Sequence, residues 1–267
     1  MKKITNLLLV ASAAICAASC SLFELDNYDA PAETLFGKVT DAAGNPVLTD
    51  QGSEGIRVRL TETSWEGNVT PLDFYCRPDG TFNNTKVFEG DYNIRIDGPF
   101  IPLVRSTQDG TMLSDESKNA HVKGQTEVNF IVEPFLHVEL VGIPQAAGGK
   151  ITANVKVTRG VSKEDFRSKV EPMGNYSGDF LNVTDIQLFV SYSSSVGYRA
   201  RDDRWSSSIE YAGASFEDLL GTEVSISSKG AIPSGRKVYV RAAARINYAT
   251  EGNRRWNYSE PIEVYLP

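Results

Sequence analysis

The sequence predicts an all-β protein, two β-sandwich domains in tandem over residues 34–134 and 135–267. Three observations predict it. Short runs with an apolar residue at every second position recur along the chain, which is the period of a half-buried strand. Turn signals separate the runs, among them Gly44-Asn45-Pro46, Asp79-Gly80 and Gly142-Ile143-Pro144, where Gly accepts a positive φ and Pro fixes its own. About 248 residues follow the first nineteen, a length that suits two domains each able to bury a core.

The first twenty residues are of another kind. Lys2 and Lys3 precede an apolar run over residues 7–18, which ends in Ala17-Ala18-Ser19-Cys20. A basic start, a short apolar middle and small residues before a cleavage point predict a signal peptide over residues 1–19. The run is too short to cross the ~30 Å hydrocarbon core as a helix. A cysteine directly after the small residues resembles the bacterial lipobox, which implies that Cys20 is acylated and becomes the mature N-terminus. Residues 20–33 then form a lipidated tether, with Glu24, Asp26 and Asp29 close behind the cysteine. Such acids resemble a display signal of Bacteroidetes lipoproteins. The resemblance implies a lipid-anchored protein of the outer membrane that faces the cell exterior. At roughly 0.8 kcal/mol per buried methylene, two or three acyl chains suffice as an anchor.

The first domain opens with Gly37-Lys38-Val39-Thr40-Asp41 and the turn to Pro46. Next comes Ile56-Arg57-Val58-Arg59-Leu60, with the apolar residues on one face and the arginines on the other. Asp73 to Arg77 reads as a strand, and Asp79-Gly80-Thr81-Phe82 as a turn into another. In Gly90-Asp91-Tyr92-Asn93-Ile94-Arg95-Ile96, Asn93 and Arg95 alternate with Tyr92, Ile94 and Ile96. Residues 128–132 close the domain. This order resembles the carboxypeptidase-regulatory or transthyretin-like sandwich, which implies a spacer or support. Residues 99–124 exceed that pattern and read as a polar loop. Its Asp109, Asp115 and Glu116 lack the spacing of a calcium loop.

Seven strands are expected in the second domain, over residues 135–141, 150–158, 185–193, 198–200, 223–227, 237–246 and 261–266. That number and spacing suit an immunoglobulin-like sandwich, and the last two strands resemble those of a fibronectin type III domain. Alternation directs Ile186, Leu188 and Val190 inward, with Val238, Val240, Ala242, Ala244, Ile246, Ile262, Val264 and Leu266. Phe189, Tyr239 and Tyr265 then share the outer face. An apolar patch of that kind marks a contact, either internal, with the first domain or residues 206–220, or with an external partner. Residues 159–183 form a long connection, with a short helix expected from Ser162.

That connection and residues 247–258 are expected to open at one end of the sandwich. Together they collect Tyr176, Tyr248, Arg254, Arg255, Trp256 and Tyr258, with Trp205 approaching from the returning strand. Aromatic rings that stack on pyranose C–H faces, beside Arg and Asn for the hydroxyls, predict a carbohydrate-binding surface. The same residues also suit structural packing.

Other chemistry is poorly represented. Loss of the signal peptide removes Lys2, Lys3 and no acid, so 27 basic residues become 25 against 34 acidic, and the net charge moves from −7 to −9. No basic stripe is present, so nucleic acid is not an expected partner. With Cys16 removed and Cys20 acylated, Cys76 stands alone and reads as a small buried hydrophobe. His121 and His137 lie in different domains, and the spacings of zinc, phosphate and nucleotide sites are missing, so no metal, cofactor or catalytic residue is expected.

The lipobox, acidic tether and two sandwiches together resemble a Bacteroidetes lipoprotein family of unknown function, domain-of-unknown-function family 3823. The family is associated with SusC/SusD-type glycan-uptake systems. The resemblance implies a non-catalytic surface lipoprotein that binds an unidentified glycan in nutrient capture. The alternative is a scaffold that contacts a SusC/SusD-type transporter through Phe189, Tyr239 and Tyr265.

Overall fold

A computed structural model describes residues 29–65 and 67–267. The expected signal peptide, the expected lipid attachment at Cys20, and Glu24 and Asp26 lie outside the described residues. In the first sandwich β1 (Glu33–Thr40), β2 (Arg57–Glu62), β3 (Leu72–Tyr75), β4 (Thr81–Val87) and β5 (Gly90–Asp97) come first. They are followed by β6 (Val104–Ser106), β7 (Met112–Asp115), β8 (Lys118–Val122), β9 (Gln125–Glu127) and β10 (Phe130–Ile131). One sheet has the antiparallel order β3-β2-β5-β8. In the other, β1 pairs β4 antiparallel and both β9 and β10 in parallel.

Val58, Leu60, Ile94 and Ile96 from the first sheet share a core with Leu35, Val39, Phe82 and Phe130 from the second. Cys76 sits in this core at 1% exposure, and burial pushes its thiol far above the ordinary range. The Thr40-Asp41 turn has a local cause. Asp41 accepts the N–H groups of Ala43 and Asn45, both at 2.9 Å, and the Asn45 side chain at 3.0 Å, while Gly44 takes φ +86°.

Residues 99–124 are not the polar loop expected. They carry the β6–β7 hairpin and then β8, which pairs with β5. Their polarity reflects an edge position: in β8 only Val122 is fully buried. Asp115 accepts the N–H of Ser117 at 3.0 Å, and Asp109 accepts Thr107 and Thr111 within its own turn.

The second sandwich runs β11 (Leu136–Ala147), β12 (Lys150–Arg159), helix α1 (Lys163–Val170), β13 (Val183–Ser191), β14 (Ser207–Glu210), β15 (Glu223–Ser227), β16 (Arg236–Ile246), β17 (Asn257–Tyr258) and β18 (Ile262–Leu266). Its sheets are β11-β12-β15 and β14-β13-β16, with β17 and β18 both on β16. Ile151, Val155 and Val157 meet Ile186, Leu188, Val190, Val238, Val240 and Ala242 in the core. Helix α1 begins as expected: Ser162 Oγ accepts the N–H of Asp165 at 3.0 Å, and Phe166 and Val170 are buried.

Two strand expectations are corrected. Gly142-Ile143-Pro144 does not turn the chain. It is an irregularity inside β11, whose register shifts between Val141 and Gln145, and the reversal comes at Gly148 and Gly149. Residues 198–200 are irregular, and the edge strand beside β13 is β14. The chain over Ala32–Pro267 is one compact unit.

Candidate functional site

The loop from Asn247 to Tyr258 turns toward the first sandwich rather than toward solvent. Trp256 is 0% exposed. Its ring stacks on Tyr198 at 6.5 Å, meets Phe189 edge-on at 6.1 Å and lies under the Arg245 guanidinium at 4.3 Å. Arg255 is buried and donates through Nη1 to the carbonyls of Ser53, at 2.7 Å, and Gly55. Tyr258 is buried beneath Arg241, whose guanidinium stands 4.4 Å from the ring centre, and burial raises the Tyr258 phenol well above its usual range.

Arg241 is the hub of this joint. It is 1% exposed and donates to the carbonyls of Ser259 (2.7 Å), Thr49 (2.8 Å), Pro78 (3.1 Å) and Val196 (3.4 Å). Thr49 and Pro78 belong to the first sandwich, so one side chain ties the two together. Around it Arg199 N donates to Asp50 Oδ2 at 2.8 Å, Asn257 Nδ2 to Pro99 O at 3.1 Å, and Thr250 Oγ1 to Gly98 O at 2.9 Å.

The expected sugar surface is therefore corrected. Trp256, Arg255 and Tyr258 form an internal joint. Trp205 is 3% exposed in the core of the second sandwich, where Nε1 donates to Ala231 O at 3.2 Å and Tyr192 and Arg204 cover the ring. Tyr176 and Tyr248 do come together. Both pack on Phe166 and Phe180, half-buried, and burial raises the Tyr248 phenol. Arg254 reaches Asn247 Oδ1 at 3.4 Å.

The outer-face contact is internal. Phe189 is 0% exposed and clusters with Val196, Ala243, Trp256 and Tyr258, with Leu48 of the first sandwich and Tyr239 packed against them. Tyr239 OH donates to Glu263 at 3.2 Å. Tyr265 stays outside the cluster at 58% exposure.

What the docked loop does expose is a different surface, the outer face of β3-β2-β5. Because Phe74 packs on the core, alternation turns Tyr75 outward, and it is 38% exposed. The register places Tyr75 beside Arg57 and Asp97 in one row, and Asp73 beside Arg59 and Arg95 in the next. Arg57 Nη2 lies 2.6 Å from Asp97, and Arg59 holds Asp73 through two contacts of 2.7 Å. The Arg59 hydrogen bond outweighs partial burial and holds the Asp73 carboxyl below its usual range. Further along, Asn93 Nδ2 bridges Ser117 and Asn119 at 2.7 and 2.9 Å.

Where this face meets the docked loop lies a cleft of about 160 Å³, lined by Arg95, Asp97, Val104, Met173, Tyr248 and Glu251. That is smaller than a drug-sized pocket and roomy enough for one compact group. Glu251 sits at the tip of a two-residue reversal between Thr250 and Asn253. Glu251 has φ +50° and Gly252 φ +79°, the positive pair that a type I′ turn requires. Left-handed backbone at a residue other than Gly costs roughly 1–2 kcal/mol. The sequence signal for this site was already visible in the outward positions of Arg57, Arg59 and Arg95. What sequence could not supply was Glu251 and Tyr248 arriving from the other sandwich.

Two docked sandwiches with an open polar face beside their joint define an all-β protein whose Ala32–Pro267 stretch is one compact unit. Its first sandwich, residues 33–133, matches the model of the protein of unknown function (DUF3823) N-terminal domain. The chain belongs to the DUF3823 family. A DUF3823 family protein from Bacteroides uniformis is 66% identical, with a TM-score of 0.86, over 89% of this chain and 100% of that one. A candidate carbohydrate-binding protein from the same species is 19% identical, with a TM-score of 0.63, over 88% of this chain and 100% of that one. A DUF3823 family protein from Parabacteroides merdae is 20% identical, with a TM-score of 0.58, over the same shares. No curated protein matches the chain.

Proposed function

We propose that the protein is a non-catalytic surface lipoprotein that binds glycan at the outer face of β3-β2-β5 and the adjoining cleft. The observation that carries this reading is the row of Tyr75, Arg57 and Asp97 beside that of Asp73, Arg59 and Arg95. An exposed ring suits a sugar C–H face, and fixed guanidinium and carboxylate groups suit its hydroxyls. The name given to the Bacteroides uniformis neighbour, a candidate carbohydrate-binding protein, agrees with the reading. Anchorage through Cys20 to the outer membrane, display outward and service to a SusC/SusD-type uptake system complete it, on the support of the N-terminal sequence and the family resemblance.

The test is a glycan array followed by affinity electrophoresis, with the intact chain in detergent. Tyr75→Ala and Arg57→Ala should each weaken binding of the retained glycan at least tenfold. An array that retains nothing, or retention indifferent to both substitutions, would refute the site. The anchor has its own check: metabolic labelling with palmitate should vanish in Cys20→Ala.

A further inference from the structure

Within the proposed glycan site, the three arginines are not equally satisfied. Arg57 and Arg59 hold Asp97 and Asp73 at 2.6 and 2.7 Å, the length of a strong charge-assisted bond. Arg95 has no such partner. Its one ion pair among the described residues is a 3.4 Å contact with Glu251 Oε1. Its Nε is screened from solvent and has no hydrogen-bond partner. Glu251 Oε2 lies 3.4 Å from Arg57 Nη2, so one carboxylate straddles two guanidinium groups and is tight on neither. That carboxylate is 46% exposed and rides on a left-handed turn.

We infer that the cleft lined by Arg95, Glu251 and Tyr248 is a subsite for a carboxylate-bearing sugar, a uronate, whose carboxylate takes the place now held by Glu251 against Arg95 and Arg57. The inference rests on the glycan reading and specifies its ligand class. Charge selects the class. Arg57, Arg59 and Arg95 face Asp73, Asp97 and Glu251, so the set is balanced with Glu251 in place and has one positive charge in excess when Glu251 swings away. A ligand monoanion restores the balance, and a neutral hydroxyl does not. Arg95 can then form the two-pronged guanidinium–carboxylate bond that Glu251 leaves unmade. Met173, Val104 and Tyr248 supply apolar and aromatic surface for the ring, and a volume of about 160 Å³ limits the subsite to one compact unit.

The experiment measures binding by the intact chain in detergent, at low and moderate salt. The probes are polygalacturonate, alginate and glucuronoxylan, their methyl esters, a set of neutral polysaccharides and polyglutamate. At least one uronate polymer should bind, at least tenfold more tightly than its ester. Arg95→Gln should cost tenfold or more, and Glu251→Gln should strengthen binding severalfold, a gain that misfolding does not produce. Neutral glycans bound as well as uronates, with Glu251→Gln silent, would overturn this inference and leave the glycan reading standing. Retention of no glycan, or of polyglutamate alone, would overturn both.

Discussion

Arg241→Ala removes the side chain on which both sandwiches close. The guanidinium serves three carbonyls within 3.1 Å, those of Ser259, Thr49 and Pro78, at a position 1% exposed. Each buried carbonyl left without a donor costs about 1–3 kcal/mol. Asp50, whose carboxyl burial already pushes up, also loses the Arg241 charge near it. Truncating one partner of a buried charged network typically costs about 3–5 kcal/mol, and we expect a loss in that range. For a unit of this size each kcal/mol shifts Tm by roughly 2–4 °C, so the midpoint should fall by about 6–20 °C. The assays are thermal melting followed by circular dichroism, and guanidinium denaturation followed by tryptophan fluorescence and by circular dichroism. Trp256 reports the joint and Trp205 the second core. The wild type should unfold in one step by both probes, because the bonds to Thr49 and Pro78 couple the sandwiches. The variant should unfold earlier, with Trp256 changing before Trp205. A loss below about 1 kcal/mol with the single step unchanged would refute the role given to Arg241. Lys237→Ala, which removes an exposed pair with Glu263, serves as the control and should leave the midpoint where it is.

Two further expectations follow from buried side chains. Trp256→Ala empties a fully enclosed site and should cost about 3–5 kcal/mol, and in the wild type iodide should quench Trp65, which is 55% exposed, far more than Trp256. Equal quenching of the two would count against the joint. Burial alone would raise the Asp185 carboxyl, but hydrogen bonds from Arg245 and Thr184 and the Arg245 charge outweigh it and hold it below the usual carboxylate range. The stability that this pair adds is therefore complete above the unfolded value and is lost as pH falls through the lower folded one. Asp185→Asn should melt earlier than wild type at neutral pH, with the gap closing below about pH 4. A gap that stays constant down to pH 2 would contradict this reading.

The strands of both cores were legible because alternation is a local property. Val238, Val240, Ala242, Ala244 and Ile246 all point into the second core, and the Ser162 cap stands where its spacing to Asp165 places it. The errors at the joint share one cause, dependence on distant partners. Trp256, Arg255 and Tyr258 have the composition of a binding surface, and only the docking of Arg255 onto the carbonyl of Ser53, 202 residues earlier, makes them interior. Tyr198 reads as part of a strand because it is aromatic and lies between turns, yet its ring is needed in the joint against Trp256. Residues 118–122 were missed for the opposite reason: an edge strand with one face in water carries too few apolar residues to show the period. The candidate face was half legible, since its arginines come from alternating strands and its Glu251 from a loop in the other sandwich.

The buried acceptors that Arg241, Arg255, Thr250 and Asn257 find in the first sandwich are main-chain oxygens: Thr49, Ser53, Gly55, Pro78, Gly98 and Pro99. A carbonyl is the same whatever side chain it carries. The first sandwich thus supplies mainly the path of its joint loops, where a Cβ on Gly55 would lie 1.8 Å from Asp50 O, while the second must keep Arg241 and Arg255 as they are. Among the described residues of the face next to the joint, only Arg57 and Arg95 touch the second sandwich by ion pairs, through Glu251, so Arg59, Asp73 and Tyr75 are the positions that drift or redesign can change without touching those pairs.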